Sequence, residues 1–331
     1  MNEVLPGIFR IPLALENFSP GSVNVYLLRD KTAYAMIDTG WDIPASLKSL
    51  NSQLAESGIH LSDIKKVILT HCHSDHLGLA GRLQKENQAI IYMHRLDLEL
   101  TKIRYTREDD YWHKTELYIQ SHGVPACELP QPDFAIPNPG PLVSPDVKLE
   151  GSEEIEAGDV RLRVINTPGH TPGHISLYEP VKKLLFSGDT LLPTIATNAA
   201  THIQHMTNPI QQYLDSLTIL KELEIDLVLP GHQQVFSGHR KRIEELFDHY
   251  QQKSSKIIEV FEKKPSPLSA YQVACCLPWV LKSGTFPWKK LGAWDKRFAM
   301  MQTIALLEQL AFAGKLTRFS RAGWHFYQAG K

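Results

Sequence analysis

Short apolar runs that end at a polar turn recur along the chain. Residues 66–70 have an apolar centre at 67–69, and residues 160–165 begin with alternating apolar and basic side chains. Two further runs, 183–187 and 226–230, have the same β-strand character. A turn rich in Gly, His or Asp follows each run. The pattern therefore predicts strands whose carboxyl ends carry polar turns.

The same periodicity predicts the other elements. A helix that passes through residues 247–257 is expected to end at the Lys- and Pro-containing break 263–267, and Gly314 ends the last long helix. Strands are expected at 7–12, 22–29, 33–38 and 89–94, helices at 43–57, 77–85, 269–276 and 296–313, an irregular Trp- and Pro-rich stretch between the last two helices, and a β-hairpin at 315–319 and 324–328.

The turn after the strand at 66–70 holds three imidazoles and a carboxylate within six residues, 71–76. Alternate side chains of this turn can point His71 and His73 at one position, while Asp75 and His76 point at a second. Nitrogen and oxygen ligands at two positions suit two adjacent divalent ions, zinc first, with iron or manganese also compatible. Cys72 is expected to point away from this side and to serve packing.

Three later turns each place a candidate ligand after a predicted strand and a glycine. They are TPGHTPGH at 167–174, GD at 188–189 and PGH at 230–232. Glycine lets the backbone approach a metal closely, where a β-carbon would intrude. A metal site assembled from several turns is therefore predicted.

The order HxHxDH, PGH, GD and PGH resembles the metallo-β-lactamase superfamily of hydrolases over about residues 1–250. The resemblance implies an α/β fold, the αββα sandwich, and two zinc ions that share a nucleophilic hydroxide. Asp75 and Asp189 are then expected at the catalytic centre. The implied metal ligands are His71, His73 and His170 for one ion and Asp75, His76 and His232 for the other, with Asp189 bridging the two.

Two more residues are expected to support the ligands from outside. Asp38 ends an apolar strand, and by the resemblance it is a buried acid that orients the imidazoles of the 71–76 turn. Without that context, an Asp that closes a strand is simply a turn residue. His174 is similar to a supporting position in the family, and a purely structural histidine is the alternative.

The chain is expected to form two domains. Residues 1–252 would be the catalytic domain, with the insertion 96–137 as a partial lid over the metal site. Helices followed by a hairpin predict a small, mainly α, winged-helix-like domain at 253–331, which resembles the subgroup of the family that includes endoribonucleases. The histidines within 201–205 are interpreted as surface residues.

Charge is distributed unevenly along the chain. The net charge of the 331 residues is −1, but residues 251–331 contain 13 Lys and Arg and only 4 Asp and Glu. A basic segment can bind the phosphates of RNA. Docking on the acidic remainder of the chain or on a second subunit, which would make a homodimer, is favoured over this.

The composition, 43% hydrophobic residues without a low-complexity tract, is typical of a globular protein. The N-terminus has no basic start followed by an apolar stretch, and no window approaches the length of a membrane span. The 4 cysteines show neither a CxxC pair nor disulfide-framework spacing. A cytoplasmic protein without a membrane partner is therefore expected.

These patterns favour a metal-dependent hydrolase that acts on a small ester-like substrate, a thioester or a related acyl compound. The family's glutathione-thioester hydrolases and acyl-homoserine lactonases are disfavoured, because Thr190, Leu191 and Leu192 follow Asp189 in place of the residues typical of those groups. A metal-dependent endoribonuclease that uses the basic segment is the alternative. A ligand-sensing DNA-binding protein is a third hypothesis.

Overall fold

The chain folds into two compact units. The first comprises Met1–Thr106, Ile136–Thr197 and Ser216–Ile243, and the second comprises Arg107–Ala135, Asn198–Asp215 and Glu244–Lys331. The computed structural model describes residues 1–16, 18–30, 33–106, 108–129, 136–200, 208–281 and 284–330. The histidines predicted at the surface within 201–205, and residues 107 and 130–135 of the predicted insertion, lie outside the described residues.

A mixed sheet of the first unit has the strand order β1-β2-β3-β4-β5-β6-β7 among the described residues. Neighbours from β1 to β4 are antiparallel, and neighbours from β4 to β7 are parallel. The carboxyl ends of β4 and β5 therefore lie side by side. The strands are β1 (Asn2–Leu5), β2 (Ile8–Ala14), β3 (Ser22–Asp30), β4 (Ala33–Ile37), β5 (Ile64–Ile68), β6 (Ile90–His94) and β7 (Val147–Leu149).

A second sheet of the same unit has the order β12-β11-β10-β9-β8 among the described residues. Strand β10 is antiparallel to both neighbours, and β11 is parallel to β12. Strands β9, β11 and β12 consequently point in one direction, so that their carboxyl ends share an edge. The strands are β8 (Glu154–Ala157), β9 (Val160–Asn166), β10 (Ile175–Glu179), β11 (Leu184–Gly188) and β12 (Leu227–Pro230).

The two sheets face each other across one apolar core. Ile37 and Ile68 from the first sheet and Leu229 from the second are at most 1% exposed in this cluster. The ring of Tyr26 meets that of Phe186 edge-on, with centroids 5.3 Å apart. Each such buried side chain contributes about 1.5–3 kcal/mol to folding. This core fixes the distance between the sheets.

Helices of the first unit pack on the seven-stranded sheet. Helix α1 (Pro44–Ala55) starts with a proline at its first turn, where no backbone donor is lost, and buries Leu50 and Leu54. Helix α2 (Ser74–Leu77) follows β5 directly, and α3 (Ala80–Asn87) and α4 (Arg95–Thr106) flank β6. Within the described part of the chain, no helix is both long and apolar enough to cross a membrane.

The second unit contains helices and two hairpins. Ser269 caps α8 by accepting a hydrogen bond from the backbone N–H of Gln272, whose side chain accepts one in return from Ser269. The elements are α5 (Glu108–Ser121), α8 (Ala270–Ala274), β13 (Trp279–Leu281), β14 (Gly284–Phe286), α9 (Ala293–Phe312), β15 (Leu316–Arg321) and β16 (Trp324–Ala329). Helices α6 (Pro209–Lys221) and α7 (His239–Lys263) contribute residues to both units.

The stretch between α8 and α9 differs from the prediction. We expected an irregular segment, but β13 pairs with β14 in an antiparallel hairpin. Pro278 and Pro287 obscured the signal, although both lie just outside the strands, where no ladder hydrogen bond is lost. The predicted insertion is also divided, because α4 belongs to the first unit and α5 to the second.

The second unit is close to neutral as a whole. Its three segments contain 15 Lys and Arg and 14 Asp and Glu, because the segments outside 251–331 are acidic. Lys296 forms an ion pair with Glu128 at 3.0 Å, and Arg297 forms one with Glu116 at 2.8 Å. Part of the basic character of 251–331 is therefore balanced within its own unit.

The turn between β15 and β16 offers a test of the fold. Arg321 pairs with Trp324, and both turn residues have left-handed backbones, with φ of 49° at Ala322 and 82° at Gly323. Alanine is strained there, whereas Asn followed by Gly is the preferred pair of such turns. We expect Ala322→Asn to raise the free energy of unfolding by about 0.5–1 kcal/mol, measured by chemical denaturation.

Ala313→Asn is the matched control, because Ala313 is also exposed but has a right-handed φ of −75°. This control should not stabilise the protein. An equal change in the two variants would contradict the turn assignment.

Candidate metal centre

The polar turns predicted from the sequence converge in the first unit. The 71–76 turn follows β5, and the turns that hold His170, Asp189 and His232 follow β9, β11 and β12. A backbone hydrogen bond joins the first sheet to the second beside these turns. The Ile175 N–H donates to the Thr70 carbonyl at 2.9 Å. The strand directions thus bring candidate ligands from both sheets to one place.

Three histidines form the first ligand group. The Nδ1 atom of His73 lies 3.1 Å from Nε2 of His71 and 2.9 Å from Nε2 of His170. Three nitrogens converge on one point, an arrangement that could hold one ion. His71 and His170 are buried, and His73 is half-buried at the margin of the group.

A second group lies beside the first. His76 Nε2 and His232 Nε2 are 3.3 Å apart, and Asp75 Oδ2 lies 3.7 Å and 3.5 Å from them. All three residues are buried. Two imidazoles and one carboxylate therefore face a second point.

Asp189 lies between the two groups. Its Oδ2 atom is 3.4 Å from His170 Nε2 and 3.3 Å from His232 Nε2, so that one oxygen reaches both. Its Oδ1 atom is buried and has no hydrogen-bond partner among the described residues. An unsatisfied buried carboxylate oxygen is costly unless a cation binds it.

Asp38 holds two of the imidazoles through their outer nitrogens. Its Oδ2 atom accepts a hydrogen bond from His76 Nδ1 at 2.8 Å and another from the Thr70 hydroxyl at 2.8 Å. Because that hydroxyl donates to Asp38, it accepts from His71 Nδ1 at 3.0 Å. Both rings then turn Nε2 inward, the nitrogen that is left to bind a metal.

His232 is oriented in the same way by the first sheet. Its Nδ1 donates to the carbonyl of Ser22 at 2.7 Å. The neighbouring Asn24 N–H donates to the Gly231 carbonyl at 2.7 Å, and the Asn24 side chain donates to the Pro230 carbonyl at 2.8 Å. Strand β3 therefore fixes the turn of the second sheet that carries this ligand.

His174 contacts the site without joining a ligand group of the described residues. Its Nε2 accepts a hydrogen bond from the backbone N–H of Asp189 at 3.0 Å, and its Nδ1 lies 2.8 Å from the Thr167 hydroxyl. Burial and the neighbouring His170 lower its pKa well below the usual range of histidine. A neutral His174 can thus hold the Asp189 backbone in place.

Asp97, on the first turn of α4, was missed by the sequence reasoning. Its carboxylate accepts hydrogen bonds from Cys72 N–H at 2.8 Å, the Thr171 hydroxyl at 2.7 Å and Gly173 N–H at 2.6 Å. An acid in the first turn of a helix normally complements the helix dipole. The position of Asp97 in the sequence therefore did not indicate a role at the metal site. Cys72 is fully buried and belongs to no ligand group of the described residues, in agreement with a packing role.

The electrostatic field of the centre favours a cation. Burial alone would lower the pKa of His76, but the carboxylates of Asp189, Asp75 and Asp38 outweigh it and raise this pKa to about 10. Burial would raise the pKa of Asp189, but the imidazoles of His232 and His76 hold it well below its usual range. The field that draws a proton onto His76 would attract a divalent ion equally.

The residues fit two adjacent divalent ions. Nitrogen and carboxylate donors converge at two neighbouring points, and Asp189 Oδ1 is unsatisfied among the described residues. Backbone also approaches closely, because a β-carbon at Gly231 would lie 2.6 Å from Asp189 Oδ1 and 2.9 Å from His76 Cε1. Such donors suit zinc, iron or manganese.

A family model described as the metallo-β-lactamase superfamily matches residues 18–232. The chain belongs to this superfamily. It is 27% identical over 267 residues to the probable metallo-hydrolase YqjP of Bacillus subtilis, covering 77% of this chain and 80% of that protein. It is also 27% identical to the human acyl-coenzyme A thioesterase MBLAC2, covering 67% of this chain and 77% of that protein.

Among solved structures, the metallo-β-lactamase family protein TTHA1429 from Thermus thermophilus is similar, with a TM-score of 0.81 and 26% identity. The match covers 98% of this chain and 100% of that one. The mixed α/β fold of the metallo-β-lactamase superfamily is thus confirmed. A metal-dependent hydrolase is confirmed at the level of the family.

A substitution at Gly231 tests whether the close approach of the backbone is needed for metal binding. The β-carbon of Gly231→Ala would collide with Asp189 Oδ1, so that the carboxylate or the 230–232 turn must move. We expect at least about a tenfold loss of metal affinity, measured by titration with Zn²⁺.

Gly292→Ala serves as the control, because its nearest atom would be 3.5 Å away and its φ of −68° suits alanine. It should bind metal like the wild type. Undiminished affinity in Gly231→Ala would show that the close approach has no role in metal binding.

Proposed function

We propose that this chain is a binuclear hydrolase, with zinc as the preferred metal, that acts on a small thioester or related acyl substrate. The position of Asp189 between two ligand groups carries the proposal, since its Oδ2 atom lies within 3.4 Å of a histidine of each group. A carboxylate so placed suits two ions that share a ligand.

The proposed ligand assignment follows the two groups. One ion would bind to the three-histidine group, the other would bind beside Asp75, and Asp189 would serve both. The residues are His71, His73 and His170 for the first ion, Asp75, His76 and His232 for the second, and Asp189 between them.

When bound, two divalent ions supply Lewis acidity, which lowers the pKa of water toward neutrality and polarises an acyl carbonyl. The chain contributes the orientation. Asp38 keeps the outer nitrogen of His76 protonated, and the Ser22 carbonyl does the same for His232. His174 holds the Asp189 backbone, so that its carboxylate stays between the groups.

Cys72 and Ser187, two potential nucleophiles near the candidate ligands, are poorly placed to attack a substrate. Burial raises the pKa of the Cys72 thiol well above its usual range, so that it stays a thiol. The Ser187 hydroxyl is buried and donates to the Leu191 carbonyl at 2.8 Å. The position of these two groups favours direct attack by water over a covalent enzyme intermediate.

Thioester chemistry is supported by similarity. The human relative is named an acyl-coenzyme A thioesterase, and the chain covers 77% of its length. Since the identity is 27%, the acyl group and carrier in this protein stay part of the proposal. We place the enzyme in the cytoplasm, because its 4 cysteines are free.

We further propose that residues 253–331 form a winged-helix-like domain, with α8, α9 and the β15–β16 hairpin as its parts. An endoribonuclease is less well supported than an acyl hydrolase. The unit that contains this segment is nearly neutral, and Arg318, a candidate for RNA contact, is in an ion pair with Glu308 at 3.0 Å. Phosphate binding needs a surplus of positive charge.

The metal stoichiometry is the first test of this function. Protein purified with metal present should contain about two ions per chain, measured by elemental analysis. Asp189→Ala should lose more metal and activity than His174→Ala, because Asp189 faces both groups and His174 touches only its backbone. Equal losses in the two variants, or wild-type protein without metal, would overturn the assignment.

A substrate panel separates acyl from RNA chemistry. Wild-type protein should release thiol from acyl thioesters. It should not cleave RNA and should show no RNA binding that weakens with salt. Replacing the exposed Lys289, Lys290 and Arg321 with Gln should change neither thioester hydrolysis nor stability. Replacing the paired Lys296 and Arg318 should lower the melting temperature, because each leaves a glutamate without its cation.

Tight RNA binding that weakens steeply with salt and is lost in the Lys289, Lys290 and Arg321 variant would replace the acyl hydrolase with the endoribonuclease. Thiol release assays and filter-binding titrations at two salt concentrations give the two readouts. The paired-cation variant controls for loss of charge at cations that already bind a glutamate.

A further inference from the structure

We propose that Asp97 is a positioning residue that sets the geometry of one ion site, the three-histidine group, and leaves the other largely unaffected. The inference rests on the proposed binuclear function. Asp97 lies on α4, 21 residues after the 71–76 turn and outside the ligand motifs. It contacts both turns from which the three histidines come.

The contacts of Asp97 join one turn to the other. Oδ2 accepts hydrogen bonds from the backbone N–H of Cys72, between His71 and His73, and from the hydroxyl of Thr171, next to His170. One oxygen atom thus ties the first turn to the second. The separation between His73 and His170 depends on this shared acceptor.

The other carboxylate oxygen strengthens the hold on the second turn. Oδ1 accepts a hydrogen bond from Gly173 N–H at 2.6 Å. A β-carbon at Gly173 would lie 2.6 Å from the Asp97 backbone nitrogen and 2.9 Å from Oδ1, so that the close approach requires glycine. The second glycine of the TPGH repeat therefore also allows the start of α4 to pack against this turn.

Helix α4 holds both peptide groups that flank Cys72. While Asp97 accepts from its N–H, the hydroxyl of Tyr105 donates to its carbonyl at 3.2 Å. Tyr105 lies two turns further along the same helix, so the two contacts share one rigid element. The backbone between His71 and His73 cannot rotate without breaking at least one of them.

The carboxylate itself is fully buried, at 0% exposure. Its partners are neutral N–H and O–H donors of the ligand turns. Hydrogen bonds to a buried carboxylate are strong and are lost at high cost. One oxygen of this carboxylate therefore holds two turns that carry candidate ligands.

The second ion site has different supports. His76 is held by Asp38 and His232 by the Ser22 carbonyl, and both supports belong to the first sheet or its strand ends. The contacts of Asp97 do not include these residues. Loss of the carboxylate should therefore weaken one ion selectively.

The test is Asp97→Asn, a change that keeps the shape but turns an amide NH₂ toward donors that need an acceptor. Co²⁺ is titrated into the metal-free full chain, and the two binding steps are followed by calorimetry and by the visible cobalt spectrum. His73→Ala and His232→Ala assign each step to its site. We expect about a 10–100-fold loss of affinity at the three-histidine site and no change at the other.

Two milder variants keep the test interpretable if Asp97→Asn folds poorly. Thr171→Val removes one donor to Oδ2, and Tyr105→Phe removes the hydroxyl that faces the Cys72 carbonyl. Each should weaken the same ion by a smaller factor and shift the same cobalt band. Glu179→Gln is the matched control, since Glu179 is 4% exposed and accepts from the backbone N–H groups of Val181 and Lys182.

The outcomes are distinct. Failure of the wild type to bind two ions would refute the binuclear function itself. Two wild-type ions that weaken equally in Asp97→Asn, or that do not weaken at all, would refute the positioning role alone. A selective loss in Glu179→Gln as well would show that any buried carboxylate change has this effect, and the inference would fall.

Discussion

Every imidazole in this centre has two ring nitrogens, and only one of them can face an ion. The other must find a partner within the protein, because a buried unpaired N–H is costly and the wrong tautomer cannot bind metal. Asp38 accepts from His76 and the Ser22 carbonyl accepts from His232. These acceptors lie at strand ends of the first sheet. The geometry of the candidate ligands therefore depends on where that sheet places its hydrogen-bond acceptors, and Asp38 has a left-handed φ of 57°.

The clustering of the candidate ligands could be predicted because metal chemistry is concentrated in short motifs. Strand periodicity located the runs before the turns, and the residue types of 71–76 are rare in combination. Asp97 could not be predicted, because its partners include the backbone N–H groups of Cys72 and Gly173, which any sequence supplies. Only the fold shows that the start of α4 lies against two ligand turns. Supports made of backbone donors leave no trace in residue type.

The charge distribution shows a second limit of prediction from the sequence. A window over 251–331 is strongly basic, yet the compact unit that includes it has 15 basic and 14 acidic residues. The compensating acids, such as Glu116 and Glu128, come from a segment more than a hundred residues earlier. Electrostatic arguments about partners apply to folded units, because ion pairs neutralise charge across large sequence separations. Helices α7, α8 and α9 and the last hairpin were predicted, since each depends on local periodicity.

The metal centre draws its ligands from both sheets, so its precision depends on how the sheets are registered. Apolar burial is non-directional, and the core between the sheets fixes their spacing without fixing their lateral position. Hydrogen bonds are directional and fail with small displacements. Two backbone hydrogen bonds connect the sheets near the ligand turns, from Asn24 N–H to the Gly231 carbonyl and from Ile175 N–H to the Thr70 carbonyl. They can fix the lateral position of the sheets, which the core leaves open. The hydrogen bonds that Asp97 accepts are directional in the same way. We therefore expect a few buried hydrogen bonds to set the geometry of the candidate site, while the larger apolar core contributes most of the stability.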